Sequence, residues 1–507
     1  MVFLLHMQLF RYKTKLGMKR LIIWALMLAG SIQVQAQQTL SLADCRQLAT
    51  THNKEVQMAA EKVKAAESLR KAARTQYLPS LAANGGYIRN QKNMSLLGAD
   101  QYLPVLSYTA SGTVNYAASW NNGWTLVNGS PVPLDANSQP FDPKANPEKI
   151  LWKNQAYIPK DAFEVDMKNV YVGAVTLTQP LFLGGKIREL NRMADSGKKL
   201  AEAQQESEIS ETIVNTDAAY WRIVSLLNKE KLAKSYVALL QKLDNDLEKS
   251  VSFGVATKSD ALSVKVKLNE AEMSLLQVED GLTLSRMALC QICGIPMNTA
   301  FSLQDEKLDS LQGSPEGVPL TGASVYDRPE IKSLEQLVNI ADANKKIAES
   351  RFMPNAALTA GYTTSNPNMY DGIQNTFGGS YQIGVVVNVP LFHFGERVHT
   401  LHAAQSEKTV ANLKLEDAME KVELDILQAR FRNDESAKKA FMTTSNKAKA
   451  EENLHYATIG YESGSIAIST LMEAQTAWLK ANSENIDAQI DVQLCRVYLQ
   501  KALGNLY

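Results

Sequence analysis

Prolines and glycines recur along this chain at two fixed offsets, and the duplication they reveal constrains the fold more than any other feature. Asn53-Lys-Glu-Val56 and Arg328-Pro-Glu-Ile331 stand 275 residues apart, and the same offset pairs Pro79 with Pro354, Gly86 with Gly361 and Tyr87 with Tyr362. Further on the offset is 210, pairing Tyr171 with Tyr381, Pro180-Leu-Phe182 with Pro390-Leu-Phe392, and Gly185 with Gly395. It still holds at Gly254 with Gly464 and Gly294 with Gly504. Proline fixes φ and glycine permits conformations closed to other residues, so a shared spacing of both marks a shared backbone. The copies span 41–294 and 328–504 and differ by an insertion of 65 residues between Tyr87 and Tyr171.

Each copy reads as helix, strand, loop, strand, long helix, turn, shorter helix. Segments 53–78 and 328–353 are rich in Ala, Glu, Lys and Leu and end at Pro79 and Pro354. No proline occurs between Leu181 and Ile295, or from Leu391 to Tyr507, so these stretches hold long helices broken near Gly254 and Gly464. At 1.5 Å per residue, 187–250 gives about 96 Å of helix, 258–293 about 54 Å and 53–78 about 39 Å. The two shorter helices together match the long one, which predicts that they stack end to end beside it.

The strand segments are Leu81–Asn90, Ala357–Thr364, Val170–Thr178 and Tyr381–Val389. In the last, Tyr381, Ile383, Val385, Val387 and Val389 alternate with Gln382, Gly384, Val386 and Asn388; Tyr171–Thr178 alternates likewise. One face is apolar and ends in Tyr, the other is small and partly polar. Transmembrane barrel strands have this period-2 pattern, and so does an ordinary half-buried sheet. Residues 91–168 carry seven of the 16 prolines and Trp120, Trp124 and Trp152, and read as a large irregular loop. Residues 295–327 read as a linker between the copies.

The 53 basic and 53 acidic side chains balance, which argues against a nucleic-acid partner. The balance depends on the N-terminus, because residues 1–36 hold five bases and no acid. There Lys19-Arg20 precedes the apolar run Leu21–Ala29 and the small-residue site Val34-Gln35-Ala36, the layout of a secretory signal peptide. Residues 1–36 are the expected signal, with Met18 a candidate start. Cleavage leaves 37–507 as a single duplicated unit with an acidic balance. No later stretch reaches about 18 consecutive apolar residues, so any membrane crossing must use strands. Four strands cannot close a barrel and lipid does not tolerate open sheet edges, so a barrel requires several chains.

With these residues in place, the chain resembles the TolC-like outer-membrane efflux proteins. The carriers are the duplication, Tyr77-Leu-Pro79-Ser-Leu81, Gln179-Pro-Leu-Phe182-x-Gly-Gly185, Pro390-Leu-Phe392 and Asp327-Arg-Pro329-Glu. The helix-turn-helix tips Phe253-Gly-Val-Ala-Thr-Lys-Ser-Asp260 and Tyr461-Glu-Ser-Gly464 complete the set. The resemblance implies a mainly α protein with membrane β: long helical hairpins form a trimeric tunnel, and four strands per protomer enter a shared 12-stranded barrel. It implies the outer membrane of a Gram-negative bacterium, with the tunnel in the periplasm and 91–168 as an extracellular loop. The linker 295–327 would join the equatorial belt. The implied function is a passive exit duct of a tripartite export system, carrying small molecules or proteins. Its implied partners are a periplasmic membrane-fusion adaptor, an inner-membrane RND or ABC-type transporter and outer-membrane lipid.

The resemblance also assigns residues. Gly254, Val255, Gly464 and Ser465 fall on the periplasmic tips that dock the adaptor. Asp260, Tyr461 and Glu473 fall on aperture-gate positions, Glu473 as one third of a carboxylate ring. Pro79, Pro180, Pro354 and Pro390 mark helix–barrel junctions. Ile466 and Thr470 depart from the basic and acidic residues of the best-known members, so the closing link there must differ.

Two other clusters read as incidental. Cys290-Gln-Ile-Cys293 precedes Gly294 at a helix C-terminus, whereas reactive pairs use the N-terminal dipole, so buried thiols are expected. His399 and His402, near His393 and Glu396, have i, i+3 spacing, but their first-copy equivalents Glu189 and Arg192 show that the design needs no metal there. No catalytic constellation, cofactor motif or resident metal site is expected. The rival readings are an exported coiled-coil scaffold or adhesin, and a thiol oxidoreductase using Cys290 and Cys293.

Overall fold

The computed structural model describes residues 38–306 and 325–506. The expected signal peptide and the middle of the linker, 307–324, lie outside the described residues. The chain divides into a helical unit (up to Arg74, Lys186–Glu349 and Phe394–Tyr507) and a strand unit (Thr75–Gly185 and Ser350–His393).

In the helical unit, α1 spans Leu42–His52, α2 Lys54–Thr75, α3 Lys186–Ser252, α4 Lys258–Cys293, α5 Pro329–Ser350, α6 Glu396–Glu462 and α7 Ile468–Ala502. The duplication is visible in the lengths: 67 residues for both α3 and α6, 36 and 35 for α4 and α7, and 22 for both α2 and α5. Helix α7 packs between α6 and α3, and α3 between α7 and α4. Tyr220, Trp221, Ile223 and Val224 of α3 meet Leu282 and Leu289 of α4 in the largest core cluster.

The short helices abut the return helices end to end in both copies. The Asn53 side-chain amide donates to the Ile292 carbonyl at 3.0 Å, and Arg328 donates to the equivalent Ala502 carbonyl at 3.0 Å. Each bond satisfies a carbonyl that the C-terminus of a helix leaves free. Gly294, at φ +69°, lies so close to the His52 carbonyl that a Cβ would stand 2.6 Å from it. Glycine is needed there for both reasons.

Helix α1 was not separated from the rest of the first copy by sequence reasoning. Ser41 caps it, accepting from the Asp44 N–H at 3.1 Å while the Asp44 carboxylate accepts from the Ser41 N–H at 3.0 Å. This Ser-x-x-Asp capping box is a legible start signal. Segment Gln38–Leu40 then pairs in parallel with Phe301–Leu303.

In the strand unit, β1 spans Ser80–Arg89, β2 Asn169–Leu183, β3 Asn355–Asn366 and β4 Gly378–Asn388. They form one antiparallel sheet in the order β4-β3-β2-β1. Register places Tyr87 opposite Tyr171 and Tyr362 opposite Tyr381, with all four rings on one face. Leu81, Leu177, Leu358, Ile383 and Val385 continue that face; Ile383 is 72% exposed and Leu81 70%. Asn84, Thr176, Thr359 and Gln382 lie on the other face among small residues. An apolar band edged by aromatics, backed by a small polar face, is the pattern of a membrane barrel wall.

The insertion 91–168 differs from the expected irregular loop. It extends the β1–β2 hairpin through short ladders, Met94–Ser95 with Glu164–Val165 and Gln101–Pro104 with Gln155–Ile158, topped by Trp124–Val127 with Ser130–Pro133. Trp120 stacks on Trp124 at 6.0 Å and meets Trp152 edge-on. The buried Asn122 accepts from the Leu151 N–H at 2.6 Å and donates to the Leu134 carbonyl at 2.5 Å. Frequent prolines suggest irregularity, but the ladders are two-stranded and two to four residues long, so Pro104, Pro131 and Pro133 sit within them on edge strands, where proline is tolerated.

Candidate functional site

Two tight turns close the helical hairpins over one small core. At the first, Gly254 adopts φ +73°, which lets the Val255 N–H fold back onto the Ser250 carbonyl at 2.9 Å. At the second, Gly464 adopts φ +69° and the Ser465 N–H reaches the Gly460 carbonyl at 2.9 Å. Left-handed backbone is nearly free for glycine and costly for other residues. Beneath both turns Leu243 and Leu247 of α3, Val264 of α4, Ala457 of α6 and Leu471 and Ala474 of α7 form a shared core.

The turns differ in how the next helix begins. Thr257 caps α4, accepting from the Asp260 N–H at 3.1 Å and donating to the Asp260 carboxylate at 2.6 Å. The matching residue before α7 is Ala467, which has no capping side chain. Asp260 thus closes a helix cap, a contact legible as Thr-x-x-Asp but not drawn from the sequence. Phe253 and Val255 stand 81% and 82% exposed at the first apex.

Tyr461 lies partly buried against the tip core. Burial, with the Asp260 and Asp246 carboxylates adding to it, pushes its phenol above the usual range. Asp260 and Glu473 line one groove of about 580 Å³ between α4 and α7, together with Lys267, Met472, Thr476 and Lys480. The groove continues into a hollow of about 460 Å³ floored by Leu232, Ala233 and Tyr236 of α3. Lys267 is bound to Glu270 at 2.7 Å. Glu473 is exposed and has no hydrogen-bond or ion-pair partner among the described residues. The two lysines beside it were not singled out from the sequence, where they look like ordinary surface residues.

The four junction prolines all fall on the strand-unit side of the unit boundaries. Pro79 and Pro354 directly precede β1 and β3, and Pro390 follows β4. Pro180 lies inside β2 opposite Ala357, beside a bulge, where its missing N–H breaks no regular ladder. His399 and His402 belong to no group of three ligating side chains among the described residues.

A barrel-type sheet and long antiparallel helical hairpins in one chain define an outer-membrane channel protein. The profile of the outer membrane efflux protein family matches residues 161–295 and 324–505, so the chain belongs to that family. The solvent efflux pump outer membrane protein SrpC of Pseudomonas putida is 25% identical over 346 residues, which cover 66% of this chain and 70% of SrpC. The outer membrane protein TolC of Vibrio cholerae is 21% identical over 62% of this chain and 72% of its own. Among solved structures, the CmeC outer membrane channel of Campylobacter jejuni has a TM-score of 0.69 at 16% identity, covering 92% of this chain and 86% of CmeC. VceC of Vibrio cholerae has a TM-score of 0.65 at 16% identity, covering 91% of this chain and 96% of VceC. The resemblance drawn from the motifs is therefore correct. The protein is an outer-membrane efflux channel of a Gram-negative bacterium, and the coiled-coil scaffold reading is set aside.

Proposed function

We propose that three copies of the chain close a twelve-stranded barrel and a helical duct, a passive exit whose traffic is driven by an inner-membrane RND or ABC-type transporter through a periplasmic adaptor. The carrying observation is the set of edges each protomer leaves open. Strands β1 and β4 end the sheet with one side unpaired, which lipid does not tolerate. The outer helices carry matching apolar stripes. Leu262, Val266, Met273, Leu276 and Leu284 of α4 are all 55% exposed or more, as are Leu413, Leu427, Phe431, Met442 and Tyr456 of α6. At 100° per residue each set falls on one narrow line of its helix. Such a stripe is suited to burial against another helix, here α4 of one protomer on α6 of the next.

In this reading the turns at Gly254–Val255 and Gly464–Ser465 present the adaptor-docking tips. Asp260, Tyr461 and Glu473 govern the aperture, with Glu473 from three chains forming a carboxylate ring that attracts cations and repels itself. The apolar face of the sheet contacts outer-membrane lipid.

Native mass measurement of the detergent-extracted protein tests the assembly: a trimer is expected, with charged substitutions at Leu427 and Phe431 dissociating it. A monomer that extracts without detergent would overturn the reading.

A further inference from the structure

Three of the four cysteines converge in the largest core cluster of the helical unit. Cys45 comes from α1, and Cys290 and Cys293 from the last turn of α4. Cys45 and Cys293 are both 0% exposed, and the Cys293 thiol donates to the Cys45 carbonyl at 3.6 Å. The partner of Cys293 is thus the cysteine 248 residues away, not its CxxC neighbour.

Contacts that do not involve sulfur hold the two segments together. Gln38–Leu40 pairs with Phe301–Leu303, Asn53 donates to the Ile292 carbonyl beside Cys293, and Arg46 anchors α1 to the neighbouring α3 by binding Asp217 through two nitrogens. Both cysteines are free thiols in this structure, and the fold sets them side by side in one core cluster.

We propose that Cys45 and Cys293 are joined by a disulfide in the exported protein, tying the N-terminal helix to the end of the first return helix. The inference rests on the outer-membrane location, because export takes the chain into an oxidising compartment. The chemistry is thiol–disulfide exchange with an external protein disulfide. One thiolate attacks a carrier sulfur to give a mixed disulfide, and the second thiolate displaces the carrier. The chain loses two protons and two electrons, and the carrier's S–S bond becomes two thiols. Both thiols are fully buried once α1 is docked. The exchange therefore precedes docking of α1, while the thiols are still accessible. Once made, the bond is shielded from reductants and closes a long loop, which restricts the unfolded chain.

The test uses the full chain in isolated outer membranes, denatured without reductant in a maleimide, digested and mapped by mass spectrometry. A Cys45–Cys293 linked peptide with Cys290 and Cys495 alkylated is expected. Alkylation of both Cys45 and Cys293 before reduction overturns the proposal, and so does a Cys290–Cys293 link. Because the sample comes from the outer membrane, either result counts against the cross-link and not against the location. On denaturing gels the unreduced wild type should run faster than the reduced one, while Cys45→Ser should show no difference. Equal mobility of reduced and unreduced wild type also overturns it.

Discussion

The Asp342 carboxylate accepts a hydrogen bond from Lys408 at 2.8 Å, and Glu67 with Lys198, at 3.6 Å, is the same contact made by the first copy. Residues 67 and 342 are related by the offset of 275, and 198 and 408 by that of 210. Each acid also binds the lysine one turn on, Lys346 or Lys71. The duplication thus extends from backbone markers to an ionic hub joining a short helix to a long one. The second hub is tighter between helices: Lys408 and Arg192 both reach Asp342 at 2.8 Å, whereas the closest cation on Glu67 is Arg70 of its own helix at 2.9 Å.

Asp342→Asn should destabilise the helical unit by about 1 kcal/mol at neutral pH, near the upper end for partly exposed ion pairs. Lys408, then Arg192 and Lys346, hold the Asp342 carboxyl well below the usual carboxylate range. A depressed carboxylate contributes fully above its unfolded pKa, near 4, and loses that contribution as pH falls toward its folded value. Urea unfolding of wild type and variant should therefore differ at pH 7 and draw together progressively as the pH falls below about 4.

Arg46→Ala should cost about 3–5 kcal/mol, because Asp217 is fully buried and would be left as an unpaired charge. Replacing both with apolar residues, Arg46→Met with Asp217→Leu, should recover most of the loss. Thermal unfolding reads both, and hydrogen exchange over 42–52 should show α1 released only in the single variant.

Glu473→Gln should lower the cation dependence of single-channel current without changing the trimer. An unchanged current would remove Glu473 from the pore lining.

Gly464→Val separates folding from docking. A Cβ at Gly464 has nothing within 4 Å, so the fold bears only the left-handed backbone strain of about 1–2 kcal/mol. Export should fail in cells while the purified trimer remains intact, and normal export would remove this turn from the docking surface. Gly294→Ala should instead damage the fold itself, since its Cβ meets the His52 carbonyl.

The duplication, the long helices and the strand alternation were legible because each is a local property. Proline and glycine fix backbone angles where they stand, and the periods of helix and strand are written in consecutive residues. The end-to-end helix joint followed from lengths alone. Helix α1 was equally local, and its Ser41-x-x-Asp44 box went unread. The folded insertion is hidden in the sequence because its prolines, which elsewhere interrupt ladders, here sit on two-stranded edges.

What the sequence by itself determined is the repeat, the kind and order of the main elements in each copy, and the family. The tertiary structure decided which residues meet across long separations. Strand register puts the four tyrosines on one face, since a slip of one residue would reverse it. Packing of α1 against α4 turns Cys293 toward Cys45 instead of Cys290, and the approach of α4 to α7 gathers Asp260, Lys267, Glu473 and Lys480 into one groove. These contacts depend on how faces of separate helices dock, and no run of neighbouring residues encodes that geometry.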